Sequence, residues 1–104
     1  KKSKLHHRCI ILTSNRLFLT TPSETSNNFV VKWAVGYESI EMVSGFNKFA
    51  NVVSIHFAEN SMPVAGLRNR PVRTKIAFQA IDSQIQKKIV HDIRRAYFMW
   101  TESD

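Results

Sequence analysis

Val72-Arg73-Thr74-Lys75-Ile76-Ala77-Phe78-Gln79-Ala80, running directly into Ile81-Asp82-Ser83-Gln84-Ile85-Gln86-Lys87-Lys88-Ile89-Val90-His91-Asp92-Ile93-Arg94-Arg95-Ala96-Tyr97-Phe98-Met99-Trp100, is where the apolar period of this chain changes. Before the change, Val72, Thr74, Ile76 and Phe78 alternate with Arg73, Lys75 and Gln79, the period of a strand with one buried face. After it, Ile81, Ile85, Ile89, Ile93, Ala96, Tyr97 and Trp100 recur every three or four residues, the apolar stripe of a helix. Lys87, Lys88, His91, Arg94 and Arg95 are assigned to its solvent face. The spacing predicts a strand over 72–80 and a helix over 82–100, about 18 residues or roughly 27 Å long. Two starts are open: Ser83 with Gln86 has capping-box spacing, and Asp82 is an alternative N-cap. A stripe this long has to cover something, and the end of a curled β sheet is the expected target.

Upstream, short apolar runs alternate with turn signals. Strands are predicted over 5–13, 16–20, 29–34, 37–43 and 51–58. Ser14-Asn15 joins the first two in a tight hairpin, because Asn tolerates positive φ. Thr21 to Asn28 reads as a polar loop and Ser44-Gly45-Phe46-Asn47-Lys48 as a turn. Alternation over 37–43 is imperfect: Tyr37, Ser39, Glu41 and Val43 oppose Glu38, Ile40 and Met42. Over 51–58 it is clear, with Val53, Ile55 and Phe57 against Ser54 and His56. The segment 59–71, with Pro63, Gly66, Asn69 and Pro71, is expected to be the longest loop. Six strands and a terminal helix make the fold class mainly β: a pleckstrin-homology-like antiparallel sandwich or barrel capped by a long amphipathic helix. That architecture has seven strands, so the first is either missing or too irregular to read. A small OB-type barrel is the rival, but its helix usually lies between strands.

At 104 residues the chain fits one domain, residues 1–104. It opens on Lys1-Lys2, and is read as a piece of a longer protein. No apolar run approaches the roughly 20 residues a membrane-crossing helix needs. The single Cys9 allows no internal disulfide and sits in an apolar run, so a buried inert thiol in a reducing, cytosolic setting is expected.

Charge placement carries the functional signal. The formal net charge is +7. Lys1, Lys2, Lys4, Arg8 and Arg16 occupy residues 1–20 with no acid between them, and Arg68, Arg70, Arg73 and Lys75 occupy 67–75 likewise. Residues 76–104 balance, and 21–66 are slightly acidic. The positive excess therefore comes from two segments, and such a field attracts anionic lipid, nucleic acid or an acidic protein face. Met62, Val64 and Leu67 lie beside the second segment; packing on their own loop is the simpler expectation, dipping into a membrane interface the other.

Catalysis is not expected: no nucleophile elbow, Gly-rich phosphate loop or paired carboxylate occurs. Nor is a metal or cofactor, since His6, His7, His56 and His91 have no ligand spacing. Single-stranded nucleic acid is the weaker polyanion reading, because Phe18, Trp33, Phe57 and Phe78 fall on apolar faces rather than on an exposed stacking surface. A protein-binding role is compatible, with Lys88, His91 and Arg95 on the outer helix face available to an acidic partner. Tyr97 and Trp100 are expected to anchor the helix.

Arg8-Cys9-Ile10-Ile11-Leu12-Thr13-Ser14-Asn15-Arg16-Leu17-Phe18-Leu19 resembles the opening hairpin of GRAM and related pleckstrin-homology-like domains. Val31-Lys32-Trp33, Tyr37-Glu38-Ser39-Ile40 and Arg94-Arg95-Ala96-Tyr97-Phe98 are, in order along nearly the whole chain, similar to the C-terminal domain of chorein-family proteins, the vacuolar-protein-sorting bridge-like lipid-transfer proteins. The resemblance implies a membrane-targeting adaptor, peripheral on organelle membranes or at contact sites between them. It also implies anionic or phosphoinositide-containing bilayers and an Arf-type small GTPase as partners. By analogy with lipid-binding members, Lys1, Lys2, Lys4 and Arg8 would meet Arg68, Arg70 and Arg73 around one headgroup, with the isolated domain a monomer. Arg suits that task because its planar fork matches phosphate oxygens.

Overall fold

In the computed structural model, residues 7–46, 51–66 and 69–103 are described. They form β1 (Cys9–Leu12), β2 (Arg16–Pro22), β3 (Phe29–Gly36), β4 (Ile40–Phe46), β5 (Val52–Phe57), β6 (Ala65–Gly66), β7 (Lys75–Gln79) and α1 (Ser83–Glu102). One antiparallel sheet has the order β1-β2-β3-β6, the other β4-β5-β7. With α1 closing the core, this is the mainly β, helix-capped sandwich of pleckstrin-homology-like type.

Both sheets and the helix feed one core. Leu17, Trp33 and Val35 come from the first sheet, Val53, Ile55 and Phe57 from the second, and Ile93 from α1. The Trp33 and Phe57 rings meet edge to face at 5.7 Å and bridge the sheets. Burying side chains of this size contributes about 1.5–3 kcal/mol each.

Several local readings give way to tertiary structure. The expected strand 37–43 is displaced: Tyr37–Ser39 is a 3-10 turn, and β4 runs on through Ser44–Phe46, which the sequence reading assigned to a turn. Its irregular alternation has a cause. The register against β5 slips between Ile40 and Met42, so Glu41 is an extra, bulged residue. Ile40 and Val43 are then both buried, while Met42 is half exposed. The β1–β2 hairpin does not use positive φ at Asn15; the only non-glycine residue with positive φ among those described is Asn60. Instead the Thr13 hydroxyl accepts the Arg16 N–H at 3.1 Å, and the Thr13 N–H donates to the Arg16 carbonyl at 2.9 Å. The segment expected to be only loop contains β6, and the strand expected from Val72 begins at Lys75.

At the helix start Asp82 is the cap: its carboxylate accepts the Ile85 N–H at 2.8 Å, and Ser83 is the first helical residue. Ile81 therefore stands before the helix and is 90% exposed rather than part of the buried stripe. The stripe rests on Ile93, with Ile89, Val90, Ala96, Tyr97 and Trp100 packed around it. Trp100 meets the buried Tyr37 ring edge to face at 6.3 Å, which anchors the C-terminal half.

Candidate functional site

After β5 the chain turns at Glu59-Asn60, and a closed loop follows. The Ser61 hydroxyl donates to the Ala58 carbonyl at 2.6 Å. The Val72 N–H donates to the Ser61 carbonyl at 2.9 Å, so the two ends of segment 61–72 are tied together. Its middle is tied to the first sheet: the Val64 N–H reaches the Ala34 carbonyl at 2.8 Å, and Ala65 and Gly66 pair with Ala34 and Trp33. Gly66 sits at φ +97°, and a Cβ there would lie 2.5 Å from the Lys32 carbonyl oxygen, so only glycine lets the backbones approach this closely. Ser61 and Val72 are buried at the neck, whereas Met62 and Val64 are 50% and 46% exposed. Arg70 and Arg73 are exposed close to the same neck. Met62 and Val64 are thus each about half open to solvent.

The other basic positions are distributed as follows. Lys1, Lys2, Lys4 and Arg68, with Leu67, lie outside the described residues. Arg8 is exposed, donates to the His7 carbonyl at 3.0 Å, and lines an apolar groove of about 350 Å³ between β1, β7 and α1, with Ile10, Phe78 and Ile89. Arg8 and Arg73 therefore both adjoin β7: the first flanks its groove, the second stands two residues before its start.

On the helix, Lys88 is engaged by Asp92 at 2.8 Å, while His91 and Arg95 are exposed. Arg94 departs from its expected role as a plain solvent-face residue: its guanidinium crosses to β4 and donates to the Val43 carbonyl at 2.8 Å. Nothing in a helical period marks that turn, because it answers to a carbonyl 51 residues away.

Among the described residues no three His, Cys, Asp or Glu side chains cluster as a metal site. Cys9 is a free, partly buried thiol. The Tyr37 phenol donates to the Thr13 carbonyl, and burial pushes its pKa above the usual 10.0. Among the described residues no helix is long and apolar enough to cross a membrane. Geometry defines the class: a helix-capped β sandwich with exposed cationic and apolar side chains near the loop 61–72. No family model matches the chain, and no curated protein or solved structure does either.

Proposed function

We propose that the domain is a membrane-docking adaptor, recruiting a lipid-transfer protein to anionic, phosphoinositide-containing bilayers. The observation that carries this reading is the closed loop 61–72: the Ser61–Val72 tie brings the chain end that carries exposed Met62, and Val64 two residues further on, beside the end that carries exposed Arg70 and Arg73. Cations beside apolar tips suit the headgroup region, where arginine stays with phosphate and the apolar side chain enters the acyl boundary. A basic residue near an anionic surface contributes about 1 kcal/mol, so several together support reversible docking rather than permanent attachment. The net charge of +7 adds long-range attraction. Among the described residues the one ion pair is Lys88–Asp92, which leaves Arg70 and Arg73 available to phosphate. A nucleic-acid role finds less support: Trp33 and Phe57 are buried, and Phe18 and Phe78 are half-buried.

Vesicle flotation tests the proposal. Binding is expected to vesicles containing phosphatidylserine or phosphoinositide, weak or none to phosphatidylcholine alone, and a decline with added salt. Arg70→Ala with Arg73→Ala should lower binding, as should Met62→Ser with Val64→Ser, all with an unchanged melting temperature. Indifference to lipid charge, or binding untouched by both pairs of substitutions, overturns it.

A further inference from the structure

β4 is an edge strand: its one partner among the described residues is β5. The direction of its backbone groups follows from the hydrogen bonds of β5. Phe57 donates its N–H to the Thr74 carbonyl, and Asn51 accepts from the Ala80 N–H, both toward the β7 side. Backbone groups alternate sides along a strand, so Val53 and Ile55 also face β7. Val43 and Gly45 lie opposite Ile55 and Val53, in pairs not bonded to each other. Their N–H and C=O groups therefore point to the free edge. The Arg94 guanidinium on the Val43 carbonyl is the independent sign of this direction.

Facing that edge is α1, and the seam between them has two halves that share Arg94. One is a cavity of about 550 Å³ lined by Ile40, Val43, Ile93, Tyr97 and Phe98, with Glu41 at its side. Phe98 is 63% exposed, and Met42 is 50% exposed beside it. The other is a cavity of about 380 Å³ where Lys87, His91 and Arg94 face Ser44 and Gly45, with no acidic residue in its lining. An unpaired strand edge, an apolar trough and a cationic end thus run along one line. Lys87 and Arg94 have no acidic partner among the described residues.

We infer that this seam binds an extended, acidic peptide segment of a partner protein, added antiparallel to β4 as a further strand. Backbone pairing to Val43 and Gly45 supplies affinity, and alternate side chains entering the trough supply selectivity. Antiparallel to β4, the peptide's N-terminal half lies beside Gly45 and its C-terminal half beside Ile40. Acidic residues therefore come first, meeting Lys87, His91 and Arg94, and apolar residues follow, covering Ile93, Tyr97 and Phe98. Arg94 leaves the Val43 carbonyl when the strand arrives and takes a carboxylate instead, a stronger charge-assisted bond. The surface is distinct from the loop 61–72.

The test is selection of random displayed peptides of about ten residues, long enough to span a strand of this size, on the whole domain. The enriched peptide is then resynthesised for binding measurements and amide-shift mapping. Enriched sequences should carry acids followed by alternating apolar residues. Shifts should fall on Val43, Gly45 and residues 87–98, and the affinity should drop by about tenfold with Lys87→Glu and fall with salt. Lys87 is exposed, so that variant folds, and Arg70→Ala with Arg73→Ala should leave peptide binding unchanged. Three results overturn the inference: no acidic-then-apolar enrichment, shifts away from the β4–α1 seam, or concentration-dependent shifts showing that a second copy of the domain pairs on β4. If the same amides shift on adding phosphatidylserine vesicles but not peptide, the seam is a lipid surface and the inference fails.

Discussion

The Gln86 side-chain amide donates to the backbone carbonyl of Val52 at 2.9 Å, joining the first turns of α1 to the start of β5 across 34 residues. Gln86 is 1% exposed, the one buried polar side chain on the helix. Removing it leaves a desolvated carbonyl and a gap, so Gln86→Ala is expected to cost about 1–3 kcal/mol. In a domain of this size that lowers the melting temperature by about 4–8 °C per kcal/mol, measurable by circular dichroism. A variant as stable as the parent would show that the contact holds nothing.

Gly45 depends on the same side chain. A Cβ on Gly45 would stand 3.1 Å from Gln86 Nε2, and the few tenths of an ångström that Gln86 must give stretch its 2.9 Å bond to Val52. Gly45→Ala should therefore destabilise the parent. In the Gln86→Ala background the clash is gone, and the same substitution should become neutral or stabilising by up to about 1 kcal/mol through the unfolded chain. Equal effects in both backgrounds, read from a double-mutant cycle, would refute the coupling.

The register of the helix face predicts an opposed pair. Ile93→Ala empties a core position that is 1% exposed and should cost about 2–5 kcal/mol. Ile81→Ala changes a residue that is 90% exposed and should stay within about 0.5 kcal/mol of the parent. Denaturant midpoints for the two variants decide it, and similar losses would mean that the stripe begins at Ile81 after all.

Gly66 holds the loop to the first sheet. Gly66→Ala combines a strained φ of +97° with a Cβ 2.8 Å from the Trp33 Cα, so β6 should detach from β3. Amide exchange at Val64, whose N–H is bonded to Ala34, should accelerate, and vesicle binding should weaken with it. Protection at Val64 unchanged from the parent would contradict this.

Tyr37 makes stability depend on alkaline pH. Its folded pKa lies above the unfolded value of 10.0 because burial disfavours the phenolate. Its contribution is therefore complete below pH 10.0 and declines as pH rises from there through the higher folded value, where the unfolded chain has already released the proton. Tyr37→Phe should cost about 0.5–1.5 kcal/mol below pH 10 by removing the bond to Thr13, and should lose stability less steeply above it. Parallel stability–pH curves for parent and variant would refute the assignment.

Read as a string of residues, the chain already declared its helix, its alternating strands and its two acid-free basic segments. Period and charge are properties of neighbours a few positions apart, so Ile89 to Trp100 and Val53 to Phe57 announce their buried faces locally, while Ile81 and Ile85, read into the same stripe, are exposed. The bulge at Glu41, the pairing of Ala65 and Gly66 with β3 and the reach of Arg94 to Val43 belong to the tertiary structure alone. Each depends on where a backbone group or a packing partner elsewhere in the fold comes to rest. Hydrogen bonds spanning 34 and 51 residues leave no periodic trace, and for that reason the β4–α1 seam became visible only after both sheets had been assembled around Ile93.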